Sequence, residues 1–156
     1  MADMLGILII QSFMFNSNFY PANIEFVNNI MVEVEHQVNR LKHHPSVIAW
    51  EGNSKIELSL FNANSSFDAE LFKNDYMSLF VDRIPKLVKE LDSRPYLRSS
   101  PSNGAASSLA DPNSLISGDI HFFENERNLW DYEQFKVGRF MSEFGVQSVR
   151  NLCFFF

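Results

Sequence analysis

The sequence predicts an α/β fold with parallel strands, because short apolar runs alternate with stretches of helical periodicity along the chain. The first such run, Leu5 to Ile10, is mostly apolar and rich in β-branched residues. A run of this kind is typical of a strand that is buried on both faces of a parallel sheet. With 156 residues, 46% of them hydrophobic, the chain has the composition of one globular domain that can bury a sizeable core.

Two amphipathic helices are predicted between the strands. After an aromatic loop at Phe13 to Pro21, a helix is expected from Ala22 to His44, ending before Pro45. A second helical pattern covers Leu71 to Leu91, and Pro85 is expected to kink it or to start a new segment. The apolar face of the first helix recurs at three- and four-residue steps and comprises Val27, Ile30, Met31, Val34, Val38 and Leu41.

Four further strands complete the predicted pattern. They are Ser46 to Trp50, Pro95 to Ser100, Gly118 to Phe123 and Arg139 to Glu143. A polar loop, Glu51 to Lys55, follows the first of these strands, and such loops often carry binding or catalytic groups. The segment Pro101 to Ser117, rich in Ser, Asn, Gly and Pro, is too long for a mere connector.

The charge and composition exclude several classes of partner. A net charge of −6 without a concentrated basic face argues against a nucleic-acid partner. No apolar run approaches the length of a membrane span, so we expect no membrane partner, and Met1 to Leu5 lacks the basic start of a signal peptide. The single cysteine, Cys153, excludes an internal disulfide framework and a cysteine metal cage.

Glu143 is the strongest catalytic candidate from the pattern alone, because an apolar strand delivers it two residues before Gly145, which can end the strand. The alternative is an ordinary surface carboxylate, since most lone glutamates are exposed. The histidines His36, His43 and His44 lack an accompanying carboxylate at zinc-site spacing and suit the negative end of the helix. We therefore expect no metal ion and no cofactor.

Several separated motifs resemble the β-mannosidases of glycoside hydrolase family 2, in the same order along the chain. They are Trp50-Glu51-Gly52-Asn53, Ser99-Ser100-Pro101-Ser102-Asn103-Gly104, Gly118-Asp119-Ile120-His121-Phe122 and Ser142-Glu143-Phe144-Gly145. The segment Leu41 to Ser46 also fits. The resemblance predicts a partial catalytic barrel over residues 1–148, followed by an unmatched apolar tail over residues 149–156.

The resemblance implies a (β/α)8 TIM barrel of which this chain supplies roughly the third to the seventh strand. Active groups in such barrels lie at the carboxyl ends of the strands. Glu143 matches the family's nucleophile, which forms a covalent glycosyl-enzyme before water releases the sugar with retained configuration. The implied reaction is hydrolysis of terminal non-reducing β-D-mannose from an oligosaccharide or a glycoprotein glycan, and the implied compartment is lysosomal or secretory.

The acid/base position departs from the family pattern. Where the family has Trp-x-Gly-Asn-Asn-Glu, this chain continues Asn53 with Ser54 and Lys55, so an amine replaces the proton-donating carboxyl. A lysine with an ordinary pKa of about 10.4 is a poor acid near neutral pH. We therefore expect little or no hydrolysis by this chain, and two alternatives stay open: a catalytically inactive carbohydrate-binding relative, and a non-functional truncated gene product.

The resemblance also implies a set of substrate contacts. These are Trp50, Ser54, Asn103, His121 and Trp130. The carboxylates Glu51 and Glu57 flank the altered position, but we do not expect either to replace the lost acid, because retaining chemistry needs its two carboxyl groups about 5 to 5.5 Å apart. A shift of two or more residues moves a carboxyl by several ångströms.

Overall fold

The structure is a computed structural model that describes residues 1–63, 68–104, 110–124, 128 and 130–145. The predicted apolar tail, the boundary at residue 148 and part of the long loop lie outside the described residues. The described elements, in chain order, are α1 (Ala2–Leu5), β1 (Ile9–Asn16), α2 (Ile24–Leu41), β2 (Val47–Ser54), α3 (Ile56–Asn62), α4 (Ala69–Tyr76), a π-helical segment (Met77–Arg83), α5 (Ile84–Leu91), β3 (Tyr96–Leu97), β4 (Ile120–Phe123), a 3₁₀ turn (Tyr132–Gln134) and β5 (Met141–Gly145).

The strands form two parallel sheets, which confirms the predicted α/β class. One sheet has the order β1-β2-β3, and the other pairs β4 with β5. Two isolated bridges continue the pairing beyond the strands, a parallel one between Ser54 and Ser100 and an antiparallel one between Ser102 and Asp119. Because Ser100 and Ser102 lie in one short segment, that segment connects the end of β2 to the start of β4.

Strand β1 lies later in the chain than the sequence predicted. The predicted strand Leu5 to Ile10 is wrong before Ile9, since Leu5, Ile7 and Leu8 are exposed; its last two residues begin the observed strand, Ile9–Asn16. The aromatic residues Phe13 and Phe15, predicted as loop, alternate inward along it and are buried. Period-two burial of the two rings, Phe13 against Trp50 of β2 and Phe15 against Phe80, therefore outweighs the continuous apolar run that precedes it.

The first predicted helix is confirmed, with a shorter C-terminal end. Asn23 caps α2, its side-chain oxygen accepting from the Phe26 N–H at 2.9 Å. The predicted apolar face is buried or packed against the core. The helix ends at Leu41 and not at His44, because the His44 N–H turns back to the Leu41 carbonyl at 3.0 Å.

The second helical pattern is divided as the proline indicated. Helix α5 begins at Ile84, one residue before Pro85, so the proline, which has no N–H, lies at the junction with the π-helical segment. The buried residues Tyr76, Leu79 and Phe80 line the preceding turns and pack on the core beside β1.

Strand β2 is longer than predicted and includes most of the expected polar loop. Residues Glu51–Ser54 continue the strand, because β1 and β3 flank it. Asn53 is fully buried, and its Nδ2 donates to the Arg98 carbonyl at 2.7 Å. A Cβ at Gly52 would lie 2.1 Å from Tyr96 Oη, so only glycine fits beneath that ring.

The last two strands are confirmed with shifted ends. Strand β4 begins at Ile120, two residues after the predicted start at Gly118. Strand β5 covers Met141–Gly145, so it ends at the predicted glycine and Glu143 lies in its middle. Within the described part of the chain, no helix is long and apolar enough to cross a bilayer.

Candidate active site

The two residues that the sequence singled out for catalysis lie in contact. Lys55 follows the last residue of β2, and Glu143 lies in β5 of the other sheet. Lys55 Nζ is 2.9 Å from Glu143 Oε2, and each side chain is 37% exposed. The fold therefore brings the predicted nucleophile position and the altered acid/base position together at one open site.

The backbone of Lys55 is in the left-handed region, with φ of 66°, directly before α3. A lysine adopts this conformation at a cost, since its Cβ crowds the following carbonyl. Its amine also lies 5.4 Å from the centre of the Phe123 ring, within the range of a cation–π contact. The turn, the ring and Glu143 together hold this cation at the mouth of the site.

His121 is the third predicted residue at the same place. Strand β4 pairs with β5 so that His121 is the partner of Glu143, and the His121 Nδ1 lies 3.4 Å from Glu143 Oε2. The imidazole is buried, and burial lowers its pKa while the charges of Glu143 and Asp119 oppose that shift. The net lowering favours a neutral imidazole beside the carboxylate.

A cluster of polar residues behind His121 was missed by the sequence analysis. Asp119 Oδ2 accepts from Ser100 Oγ at 2.5 Å and from Ser142 Oγ at 2.7 Å, and Ser100 Oγ lies 2.8 Å from His121 Nε2. Asn113 Oδ1 accepts from the His121 backbone N–H at 2.9 Å. The available signal was the two-residue spacing of Asp119 and His121, which places alternate residues of an extended strand on one face.

Glu51 lines a cavity of about 520 Å³ that it shares with Ser100, Asp119 and Ser142. Burial raises the pKa of the Glu51 carboxyl, a hydrogen bond from Ser12 lowers it, and the charges of Asp119 and Glu143 add to the rise. Glu51 therefore holds a proton more readily than an exposed glutamate does. It stands within strand β2, four residues before the acid/base position at Lys55.

Glu57 belongs to the core, which agrees with the expectation that it does not replace the lost acid. Its side chain is 1% exposed on α3. Tyr76 Oη donates to Glu57 Oε1 at 2.6 Å, and Arg98 Nε donates to the same oxygen. Burial, and then the charge of Glu57, raise the pKa of the Tyr76 phenol. These two partners hold the carboxylate in place beneath β3.

The structure does not bring Trp50 to the site. Trp50 is fully buried, stacks on Phe13 with ring centroids 5.8 Å apart, and donates its Nε1–H to Asp92 Oδ2 at 3.0 Å. Trp50 is therefore a core aromatic residue whose indole N–H has a hydrogen-bond acceptor. A direct substrate contact by its ring finds no support in this arrangement.

The other predicted substrate contacts are dispersed around the strand ends. Ser54 ends β2 immediately before Lys55. Asn103 is buried in the segment after Ser100, and its Nδ2 donates to the Asp111 carbonyl at 3.4 Å. Trp130 is 96% exposed in the turn that follows β4, which leaves its ring open for stacking. Their roles toward a sugar stay predictions.

The described residues contain no group of three histidine, cysteine or acidic side chains that could hold a metal ion. His36, His43 and His44 therefore belong to no such group among the described residues. The ring of His44 instead contacts a carboxylate, with Nδ1 2.6 Å from Asp3 Oδ2.

The comparisons with known proteins agree with the motifs. No protein-family model matches the chain. The chain is 40% identical to the β-mannosidase of Rattus norvegicus over 158 aligned residues, which cover 95% of the chain. It is 34% identical to a probable β-mannosidase of Caenorhabditis elegans over 94% of the chain. The crystal structure of a β-D-mannosidase from Dictyoglomus thermophilum matches 97% of the chain with a TM-score of 0.72 and 31% identity.

The chain is related to one segment of the β-mannosidases. The resemblance that the motifs indicated is thereby confirmed. The chain spans 18% of the rat protein and 18% of the Dictyoglomus thermophilum chain. It therefore corresponds to part of a β-mannosidase.

Removing the cation that pairs with Glu57 should cost more stability than removing the cation that pairs with Glu143. Arg98→Met leaves the buried Glu57 carboxylate without its cation, and we expect it to lower the free energy of unfolding by about 3–5 kcal/mol. Lys55→Met removes an ion pair between half-exposed groups and should cost less than about 1 kcal/mol. Urea unfolding of both variants measures the difference, and an equal loss in both would contradict it.

The raised pKa of Glu51 predicts a pH-dependent stability. Because the native pKa lies above the ordinary value of about 4.5, the stabilisation is full below that pH and is lost as the pH rises through the native pKa. Glu51→Gln should therefore gain stability relative to the original chain as the pH rises from 4.5 toward neutral. Urea unfolding midpoints across this pH range test the prediction. Glu90→Gln, on the exposed face of α5, is the control. Parallel pH profiles for Glu51→Gln and the original chain would refute the prediction.

Proposed function

We propose that the chain is a segment of the catalytic barrel of a β-mannosidase-like hydrolase of glycoside hydrolase family 2. The segment would supply roughly the third to the seventh strand of a (β/α)8 barrel, with residues 1–148 as the barrel part. Two parallel sheets, helices on their connections, and functional groups at or near the strand ends support this assignment. The similarity to the Dictyoglomus thermophilum β-D-mannosidase over 97% of the chain supports it further.

The substrate we propose is a terminal non-reducing β-D-mannose of an oligosaccharide or a glycoprotein glycan. The contact of Glu143 with both Lys55 and His121 is the observation that carries the proposal, because it gathers three positions that the family resemblance implicates. The exposed Trp130 ring offers a face on which a sugar can stack.

Glu143 would act as the nucleophile. Its carboxylate oxygen would form a bond to the anomeric carbon while the bond from that carbon to the leaving oxygen breaks with its electron pair. Oε2 is engaged by Lys55 at 2.9 Å, so attack by this oxygen requires the ion pair to open. Both side chains are partly exposed, which makes the cost of opening modest.

Departure of the leaving group is the difficult step, because its oxygen needs a proton unless it forms a stable anion. Lys55 stands at the position that the family resemblance gives to the donor, and an alkylammonium is a far weaker acid than a carboxylic acid. Its charge also lies where positive charge develops on the sugar ring in the transition state. The proposed reaction is therefore limited to substrates with excellent leaving groups.

The ion pair itself favours a second candidate function, carbohydrate binding without turnover. Lys55 neutralises the carboxylate that would attack, so both catalytic positions satisfy each other. A site of this composition can still bind a sugar through His121 and an exposed aromatic ring. The two candidates differ in whether Glu143 ever becomes covalently attached to sugar.

Slow covalent labelling should separate these candidates. A 2-fluoro-β-mannoside with a dinitrophenolate leaving group needs no acid, so we expect it to glycosylate Glu143 in the 156-residue chain. Intact and peptide mass spectrometry would find one added fluorosugar on the peptide that contains Glu143. Glu143→Gln should abolish the label. Absence of any label, together with measurable mannoside binding, would support the binding function and remove the hydrolase proposal.

Restoring the acid should restore turnover of an ordinary glycan. In a chimaera in which this chain replaces the matching segment of the rat relative, Lys55→Glu should raise hydrolysis of an unactivated β-mannoside by about 10²-fold. Ser54, which also departs from the family pattern, stays unrepaired and reduces the gain. Hydrolysis rates with and without the substitution measure it, and Glu143→Gln in the same chimaera is the inactive control. Efficient turnover with Lys55 in place would contradict the loss of the acid.

A further inference from the structure

The donor and the acceptor of each hydrogen bond behind His121 follow from its partners and distances. Asp119 Oδ1 accepts from the Ser142 backbone N–H at 3.0 Å, and Oδ2 receives the hydroxyls of Ser100 and Ser142 at 2.5 and 2.7 Å. An ionised carboxylate can only accept. The single hydroxyl proton of Ser100 is therefore directed to Asp119.

Ser100 Oγ then has only lone pairs to offer His121. Its distance to His121 Nε2 is 2.8 Å, a normal hydrogen bond. Since Ser100 has no second proton, the hydrogen in this bond belongs to Nε2. A neutral imidazole carries one hydrogen, so His121 Nδ1 is left with a lone pair.

The surroundings of Nδ1 agree with that assignment. Nδ1 is buried and makes no hydrogen bond within the described part of the chain, although Glu143 Oε2 lies 3.4 Å away. A hydrogen on this nitrogen would have no acceptor in good hydrogen-bond geometry, so the hydrogen bond between Nε2 and Ser100 decides the tautomer. Burial and the charge of Lys55 disfavour the doubly protonated ring, against the opposite pull of Glu143 and Asp119, and the pKa of His121 is lowered on balance.

We propose that Asp119 is a positioning residue that acts through Ser100 to hold His121 as the Nε2–H tautomer, with the lone pair of Nδ1 presented beside Glu143. Because Nδ1 is buried behind Glu143, the lone pair becomes available to a hydroxyl of a bound sugar only when the Glu143 side chain moves. This consequence rests on the proposed function. The tautomer itself does not.

The opposite tautomer would give the site a different arrangement of hydrogen-bond donors and acceptors. If Ser100 donated to Nε2, and Nδ1–H faced Glu143, the three groups would have the order of a serine–histidine–carboxylate triad. That arrangement requires Asp119 to give up the Ser100 proton at 2.5 Å. The two alternatives put the imidazole hydrogen on different nitrogens, so a spectrum of the ring separates them.

The test is a long-range ¹H–¹⁵N correlation spectrum of the full 156-residue chain, labelled with ¹⁵N in its histidine rings, at neutral pH. The signals of His121 are assigned by their loss in His121→Gln, and the exposed His36 and His43 serve as internal references. We expect Nε2 to show the shift of a protonated nitrogen and Nδ1 that of a bare one. A protonated Nδ1 in the original chain overturns the proposal without any further variant.

Asp119→Asn should reverse the tautomer without changing the shape of the side chain. The backbone N–H of Ser142 needs an acceptor, so the amide oxygen takes the Oδ1 place and the amide NH₂ takes the Oδ2 place, facing Ser100. Ser100 then accepts from the amide and donates to Nε2, which moves the imidazole hydrogen to Nδ1. We expect the Nδ1–H form to change from the minor to the major species.

Ser142→Ala is the matched control, because it removes one hydroxyl from Asp119 and leaves the bond between Ser100 and Asp119. It should keep the Nε2–H form. An unchanged spectrum in Asp119→Asn, with its dispersed amide signals retained, would refute the positioning role. Since no sugar or turnover enters this experiment, its result is independent of the covalent-labelling experiment on Glu143.

Discussion

The parallel pairing of β4 with β5 is the constraint on which the site depends. Its register makes His121 the partner of Glu143, and it carries Ser142 onto Asp119. A slip of one residue would turn every side chain of β5 to the opposite face and separate these groups. Lys55 reaches the same point from the other sheet because the segment around Ser100 bridges the end of β2 to the start of β4.

Charge is distributed differently in the core and at the mouth of the site. Glu57 is buried and is held by an arginine and a tyrosine, so it contributes to the packing of α3 beneath the sheet. Glu143 remains partly exposed and is paired with a mobile type of cation, an amine on a flexible stem. Under the proposed function, Glu143 would be the carboxylate that attacks the sugar, and Lys55 would stand in place of the group that assists departure.

Local patterns predicted the helices better than the strands. The apolar face of α2 and the break before Pro85 depend on neighbours within a few residues, and both are confirmed. The position of β1 and the length of β2 depend on pairing with strands far along the chain. An apolar run at Leu5 to Ile10 was therefore a weaker guide than the alternating burial of Phe13 and Phe15, which pack on Trp50 and Phe80 from distant parts of the chain.

The sequence by itself determined the α/β class, the relationship carried by its motifs, and the chemistry available at Glu143 and Lys55, because these follow from residue type and order. The tertiary structure decided that these two side chains meet, that Trp50 is a core residue, and that Asp119 stands behind His121. The reason is physical: contacts between residues tens of positions apart depend on strand register and on burial, and neither quantity is present in any local window of sequence.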